Sequence, residues 1–308
     1  MATSGSTDYT QTMQQIISGA LRIVTSGTDF TSEETNDAKQ ALNMMVKSWQ
    51  AEGIGLWKNA EVALFLAEDA QSYTLGPSGS HCAETYVKTE VSTAAASGAS
   101  ALVLDSITGM TNGDAVGVEL DGGDLQWTTI NGVPGSLTIQ LAAALTDAVA
   151  VDNHVYTYTD LIARPLEIVE ARLRKNDDTE VSIGPFGIVS RLEYMAIPNK
   201  DLSGSCNLIS YDPQTTDSRL YVWPVAEDTK EYLKMSVRLP IEDFDAVTDN
   251  ADFPVEWLNA LKWNLAVEIS NDIAGRDPTP FMIAKSMDTK AKVSSFDTDI
   301  SSVYIGVG

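Results

Sequence analysis

The sequence predicts an α+β fold: a small helical bundle built from N- and C-terminal helices, an antiparallel β-domain between them, and an inserted all-β module. Three observations predict it. Leu42, Met45, Val46 and Trp49 fall at i, i+3, i+4 and i+7, and near the other end Leu258, Leu261, Leu265 and Ile269 repeat a helical stripe. Between them the apolar period drops to two. Within that β-prone region, residues 84–160 change composition, rich in Ala, Thr, Ser, Val and Gly with Lys88 as the only basic residue. The implied division is 1–57 with 250–293 as the helical domain, 58–83 with 161–249 as the β-domain, 84–160 as the inserted sandwich or barrel, and 294–308 as an extended tail.

Each element has a local reason. Asp8 and Gln11 precede an apolar face of Met13, Ile16, Ile17, Ala20 and Leu21, so they are the expected caps of a first helix, which Gly27 ends. Thr31 and Glu34 have the spacing of a capping box for a second helix. Gly53 is placed to stop it, and Ile54, Leu56 and Trp57 to lead the chain out extended. Val62, Leu64 and Leu66 alternate, residues 68–71 turn, and residues 72–75 return, which reads as a hairpin.

In the inserted module, β-prone runs at 101–104, 115–120, 126–130, 137–141 and 154–158 are separated by Asn112-Gly113-Asp114, Asp121-Gly122-Gly123-Asp124 and Pro134-Gly135. Residues 166–174 and 180–183 flank Asn176-Asp177-Asp178 as a second hairpin, and 190–195 reads as a short helix. Strands are expected at 207–211, 219–223 and 232–239. Pro254 opens the next helix and Gly275 ends it; Thr279 and Pro280 open the last, with Phe281, Ala284 and Met287 as its expected face.

Composition narrows function. The chain has 308 residues, 44% hydrophobic and 20% charged, enough to bury a sizeable core. Lys and Arg total 20 against 43 Asp and Glu, a net charge of -23. That balance excludes wrapping nucleic acid. It fits either a solvated acidic surface or a surface that DNA passes without sticking. The first ten residues lack the basic and apolar regions of a secretory signal, and residues 137–151 are too short and polar for a membrane span. Cys82 and Cys206 allow one disulfide but imply no framework, and reduced structural thiols are the expectation.

The sequence offers no pattern for catalysis, metal or cofactor. His81 and His154 lie outside any nucleophile or metal motif, and His81-Cys82 adjacency does not bring side chains together. The acidic clusters at 121–124, 176–178 and 245–252 lack the calcium-loop pattern and read as solvated turns. Glycine-rich pieces form no phosphate loop. Arg172, Arg174 and Lys175 read as a solvated strand, and Trp49, Trp57, Trp257 and Trp263 as core.

Several stretches carry a resemblance: ALNMMVKSWQAEGIGLW (41–57), YTLG (73–76), RPL (164–166), YMAIPNK (194–200), YDP with LYVWP (211–213, 220–224), and LPIEDF with DNADFPVEW (239–244, 249–257). In this order and spacing the chain resembles the head-to-tail adaptor proteins of short-tailed, podovirus-like bacteriophages, the tail accessory factors or, in a related branch, tail tubular protein A. The resemblance implies a non-enzymatic virion protein, made in the bacterial host cytoplasm and located at the capsid vertex or neck. It implies a homo-oligomeric ring, usually twelve-fold, that docks under the portal protein, extends the DNA channel and seats the next tail or nozzle protein. DNA passes without specific binding, and no membrane or cofactor is involved. In some members the C-terminal tail reaches into the portal, so Phe296, Ile300, Val303, Tyr304, Ile305 and Val307 are the candidate portal-docking residues here. Residues 84–160 depart from compact adaptors. They supply the alternative, a tail-tip or surface-binding protein whose β-module takes a receptor or glycan. A two-carboxylate glycosidase is the remaining rival.

Overall fold

The structure, a computed structural model, describes residues 9–25, 27–175, 178–183, 187–227 and 229–295. It mixes helices with antiparallel sheets in an α+β arrangement and divides into two compact units, one of residues up to 58 together with those from 240, the other Asn59–Leu239. In chain order the helices are α1 (Met13–Thr25), α2 (Ser32–Ala51), α3 (Arg191–Met195), α4 (Leu258–Ala274) and α5 (Pro280–Ser294).

In the first unit, α1, α2, α4 and α5 share one hydrophobic core. Thr12 caps α1, not Gln11: its hydroxyl accepts from Gln15 N at 3.4 Å, and Gln15 Oε1 accepts from Thr12 N at 3.0 Å. Asp8 lies outside the described residues. The capping box of α2 forms, with Thr31 N donating to Glu34 Oε2 at 2.8 Å and Glu34 N to Thr31 Oγ1 at 3.2 Å. Gly53, at φ 88°, ends that helix, but Leu56–Lys58 then winds into a 3-10 turn instead of running extended. The α4 stripe of Leu258, Leu261, Leu265 and Ile269 is buried together with Ala260 and Ala266, so α4 is covered on more than one face. Gly275 stops it at φ 58°.

Two expectations fail in this unit. Residues 240–249, assigned to the β-domain, belong here, because Ile241 and Phe244 bury in the helical core. Three α2 side chains at i, i+4 and i+8 hold that segment. Lys39 Nζ donates to Asp245 O, Asn43 exchanges hydrogen bonds with the Phe244 backbone (3.1 and 3.0 Å), and Lys47 Nζ donates to Ile241 O at 2.8 Å. Next, α5 is turned the other way: Met282, Ser286, Thr289 and Val293 are buried, while Phe281, Ala284 and Met287 face out. Ser286 and Thr289 can be buried because their hydroxyls bond carbonyls of the preceding turn at 2.9 Å.

The second unit contains β1 (Asn59–Phe65), β2 (Ser72–Leu75), β3 (Cys82–Ala83), β4 (Val87–Thr93), β5 (Ala101–Leu104), β6 (Ala115–Glu119), β7 (Leu125–Thr129), β8 (Thr138–Gln140), β9 (His154–Tyr158), β10 (Glu167–Arg174), β11 (Glu180–Ser182), β12 (Leu208–Asp212), β13 (Ser218–Trp223) and β14 (Tyr232–Arg238). A five-stranded sheet, β11-β10-β14-β1-β3, packs on a three-stranded sheet, β12-β13-β2. β1 and β2 are therefore not a hairpin. Both edges of β1 are taken by β14 and β3, and β2 pairs with β13. The loop between them is tied by Tyr73, whose hydroxyl bonds the backbone N and O of Ala67 at 2.8 and 3.1 Å.

The inserted residues form one antiparallel sheet, β7-β6-β9-β4-β5-β8, rather than a two-sheet sandwich. It curls until its outer strands meet at Ile130 and Leu141. There Asn131 N donates to Gln140 O at 2.8 Å and Ala142 N to Thr129 O at 2.9 Å. Val91, Leu102, Leu104, Val116, Ile139 and Val155 fill its interior.

Replacing Asn43 by Ala leaves the backbone N–H and C=O of Phe244 without their partners at a part-buried site. The expected loss is about 1–3 kcal/mol, read as a lower denaturant midpoint at unchanged slope.

Candidate interaction surfaces

The residues with reactive potential are occupied by packing or pairing. Cys82 and Cys206 are free and buried. Burial raises both thiols, that of Cys206 to about 11. The His81 ring stacks on Trp127 at 3.8 Å between centroids and 8° between planes, with Nδ1 2.6 Å from the Tyr158 hydroxyl. This stack exists because Gly117 lies opposite Trp127 in the β6–β7 ladder. A Cβ at Gly117 would come within 2.8 Å of the indole. Burial lowers the His81 pKa to about 4.

His154 bridges two strands. Its Nδ1 lies 3.0 Å from Glu119 Oε2 and its Nε2 3.6 Å from Glu90 Oε1, while Lys230 approaches Glu119 Oε1 at 3.7 Å. The hydrogen bond from His154 holds the Glu119 carboxyl below the ordinary carboxylate range.

Acidic clusters serve local structure. Asp121 Oδ1 accepts from Ala150 N at 2.8 Å and from Asn153 Nδ2 at 3.0 Å. Asp249 Oδ2 accepts from Asp245 N and Ala246 N. Asp252 accepts from Glu242 N and pairs with Lys58 at 2.9 Å. On the five-stranded sheet Arg172 pairs with Glu170, Arg174 with Asp178 and Glu180, and Lys234 with Glu61 and Glu180. Among the described residues no group of three or more His, Cys, Asp and Glu is placed to hold a metal ion, and no helix is long and apolar enough to cross a membrane. Trp49, Trp57 and Trp257 pack around Phe253 with centroids 5.2–6.4 Å from it, and Trp263 meets Phe281 at 5.8 Å.

The unsatisfied surface is apolar. On α5, Phe281 is 68% and Met287 66% exposed. On α2, Met44 is 68% exposed at the end of a stripe that begins with Glu33, Asp37 and Gln40. At the tip of the inserted module Val133 is 90% exposed, beside Ser136 and Leu137, which adopt φ 52° and 61°. A leucine in the left-handed region is strained. Sequence reasoning read the α5 stripe as a buried face. The helical period was the signal, but period alone does not say which face is covered. The six expected docking residues, Phe296, Ile300, Val303, Tyr304, Ile305 and Val307, lie outside the described residues.

No protein-family model matches the chain, and no curated protein matches it. Among solved structures, 58% of the chain aligns with 80% of VP17, a capsid protein of bacteriophage P23-77, at 12% identity and a TM-score of 0.12; a likeness of that size carries no argument.

The aromatic stack makes a pH prediction. His81 is neutral in the fold with a pKa lowered from 6.5 to about 4, so the unfolded chain binds more protons between those values. Its contribution is complete above pH 6.5 and is lost as pH falls through about 4. His81→Gln is expected to flatten the pH dependence of the unfolding midpoint in that window; an unchanged slope would refute the assignment.

Proposed function

We propose that the chain is a virion structural protein of a short-tailed bacteriophage, the head-to-tail adaptor. Copies close a ring under the portal, extend the DNA channel and seat the next tail component. In this reading the helices from the two ends act together as a bundle facing the portal, and residues 294–308, of which Ser294 ends α5, are the docking tail. Ring closure uses unlike faces on each copy.

What supports the reading is the ordered set of stretches that carry the resemblance, because each makes contacts that hold the fold together. Tyr211 of YDP donates its hydroxyl proton to Pro165 O of RPL. Trp223 of LYVWP donates from Nε1 to Asn199 O of YMAIPNK at 2.8 Å, and Tyr194 packs on Tyr221 at 5.1 Å. Ile241, Phe244, Phe253 and Trp257 of the last pair bury in the helical core. The charge of -23 suits a channel wall. Like charge keeps phosphates from binding tightly, so DNA slides.

The test is the mass of the purified full-length chain, alone and with portal protein. A ring that binds portal is expected, and removal of residues 296–308 is expected to abolish portal binding while leaving the thermal midpoint unchanged. A chain that stays monomeric and ignores the portal would overturn the reading.

The exposed Val133 beside a strained Leu137 favours a second reading, in which the inserted module carries a receptor- or glycan-binding tip. Binding of the full-length chain to host cells, weakened by Val133→Ser, would support it over the adaptor.

A further inference from the structure

The outward faces of α2 and α5 match each other in length, chemistry and order. On α2, Glu33, Asp37, Gln40 and Met44 are exposed at i, i+4, i+7 and i+11. Among the described residues neither Glu33 nor Asp37 is in an ion pair. On α5, Phe281, Ala284 and Met287 are exposed, and Lys285 and Lys292 flank them. The two lysines share a single carboxylate, Asp288, at 3.7 and 2.8 Å, which leaves one surplus positive charge on a chain that is otherwise strongly acidic.

Both stripes span three helical turns, about 16 Å at 1.5 Å per residue. In one orientation only, antiparallel, the acidic start of α2 meets the basic end of α5 while Met44 meets Phe281. In the parallel orientation Asp37 still meets Lys285, but Glu33 faces Phe281 and Met44 faces Lys292, so the apolar ends no longer meet. Antiparallel docking also sets the helix dipoles head to tail.

We infer that the α2 outer face of one copy docks antiparallel on the α5 outer face of the next, with Met44 against Phe281, Gln40 against Lys285 and Glu33 against Lys292; Asp37 then lies opposite Asp288, between the two lysines, so that two acids meet a face of net charge +1. The two faces differ, so the contact is heterologous and propagates from copy to copy. It covers the exposed ring of Phe281 with a methionine, a side chain that adapts to irregular partners. This contact deepens the adaptor reading, on which it rests.

The test uses charge exchange in the full-length chain. Variant one carries Glu33→Lys with Asp37→Lys, and variant two Lys285→Glu with Lys292→Glu. Wild type is expected to self-associate more weakly as salt rises. Each variant is expected to associate at least about tenfold more weakly, and an equimolar mixture of the two is expected to recover the wild-type mass, because each then offers the face the other lacks. Variant two also crowds Asp288 with like charge, so Phe281→Ser, which leaves helix charge alone, must weaken association as well, with far-UV circular dichroism as the folding control. Unchanged mass in variant one, or folded variants that do not rescue each other, overturns the contact. If wild type still forms portal-bound rings in that case, the adaptor reading survives; a wild-type monomer that ignores portal sinks both.

Discussion

β1 fixes the arrangement of the second unit because both of its faces and both of its edges are occupied. Side chains alternate along a strand, so Val62 and Leu64 enter the core shared with the three-stranded sheet, and Ala63 and Phe65 enter a separate aromatic cluster. Phe65 is the centre of that cluster, with Tyr86, Trp127, Tyr156 and Tyr232 at 4.8–5.7 Å. Aromatic pairs contribute about 0.5–1.5 kcal/mol each beyond their burial. Four around one ring outweigh the rotamer entropy of fixing it, which is about 1–2 kcal/mol at most for a side chain. A one-residue slip would turn Phe65 into the other core and break all four contacts at once. The β1–β14 register, which puts Phe65 opposite Tyr232, is thereby pinned from outside the ladder.

Much of this was legible where a local rule suffices. Thr31 with Glu34 forms the expected capping box over one turn, the short helix expected at 190–195 forms with a box of Ser190 and Glu193 that was not anticipated, and the α4 stripe and the β10–β11 hairpin follow from period and turn chemistry. What was not legible depends on distant partners. The alternation of Val62, Leu64 and Leu66 identifies a strand, but nothing near it says that β14, some 170 residues later, takes its edge. No strand was expected at β4, although Val87, Thr89 and Val91 alternate with Lys88 and Glu90; the Lys88 side chain pairs with Asp178 at 2.7 Å, and Glu90 Oε1 lies 3.6 Å from His154 Nε2. Ser286 and Thr289 look like surface residues in sequence, and only their hydrogen bonds within α5 make their burial tolerable.

Charge is unevenly committed. On the five-stranded sheet Arg172, Arg174 and Lys234 are each shared between two carboxylates, so these three cations present little free positive charge. Exposed pairs of this kind add little stability, with a median near 0–1 kcal/mol. Their effect is on charge: each of these three cations is already matched by carboxylates.

An acidic surface of this sort also constrains self-association, since most pairs of patches on two copies repel. The exceptions are the places where cations outnumber acids or where apolar side chains are left bare. On the helical unit α5 supplies both, with Lys285, Lys292, Phe281 and Met287, and α2 supplies an acidic stripe that ends in Met44. Like-charge repulsion elsewhere then works in favour of specificity, because it penalises alternative dockings that the apolar contacts alone would tolerate. A contact between unlike faces does not saturate at two copies, so its geometry, and not its strength, decides whether the copies close.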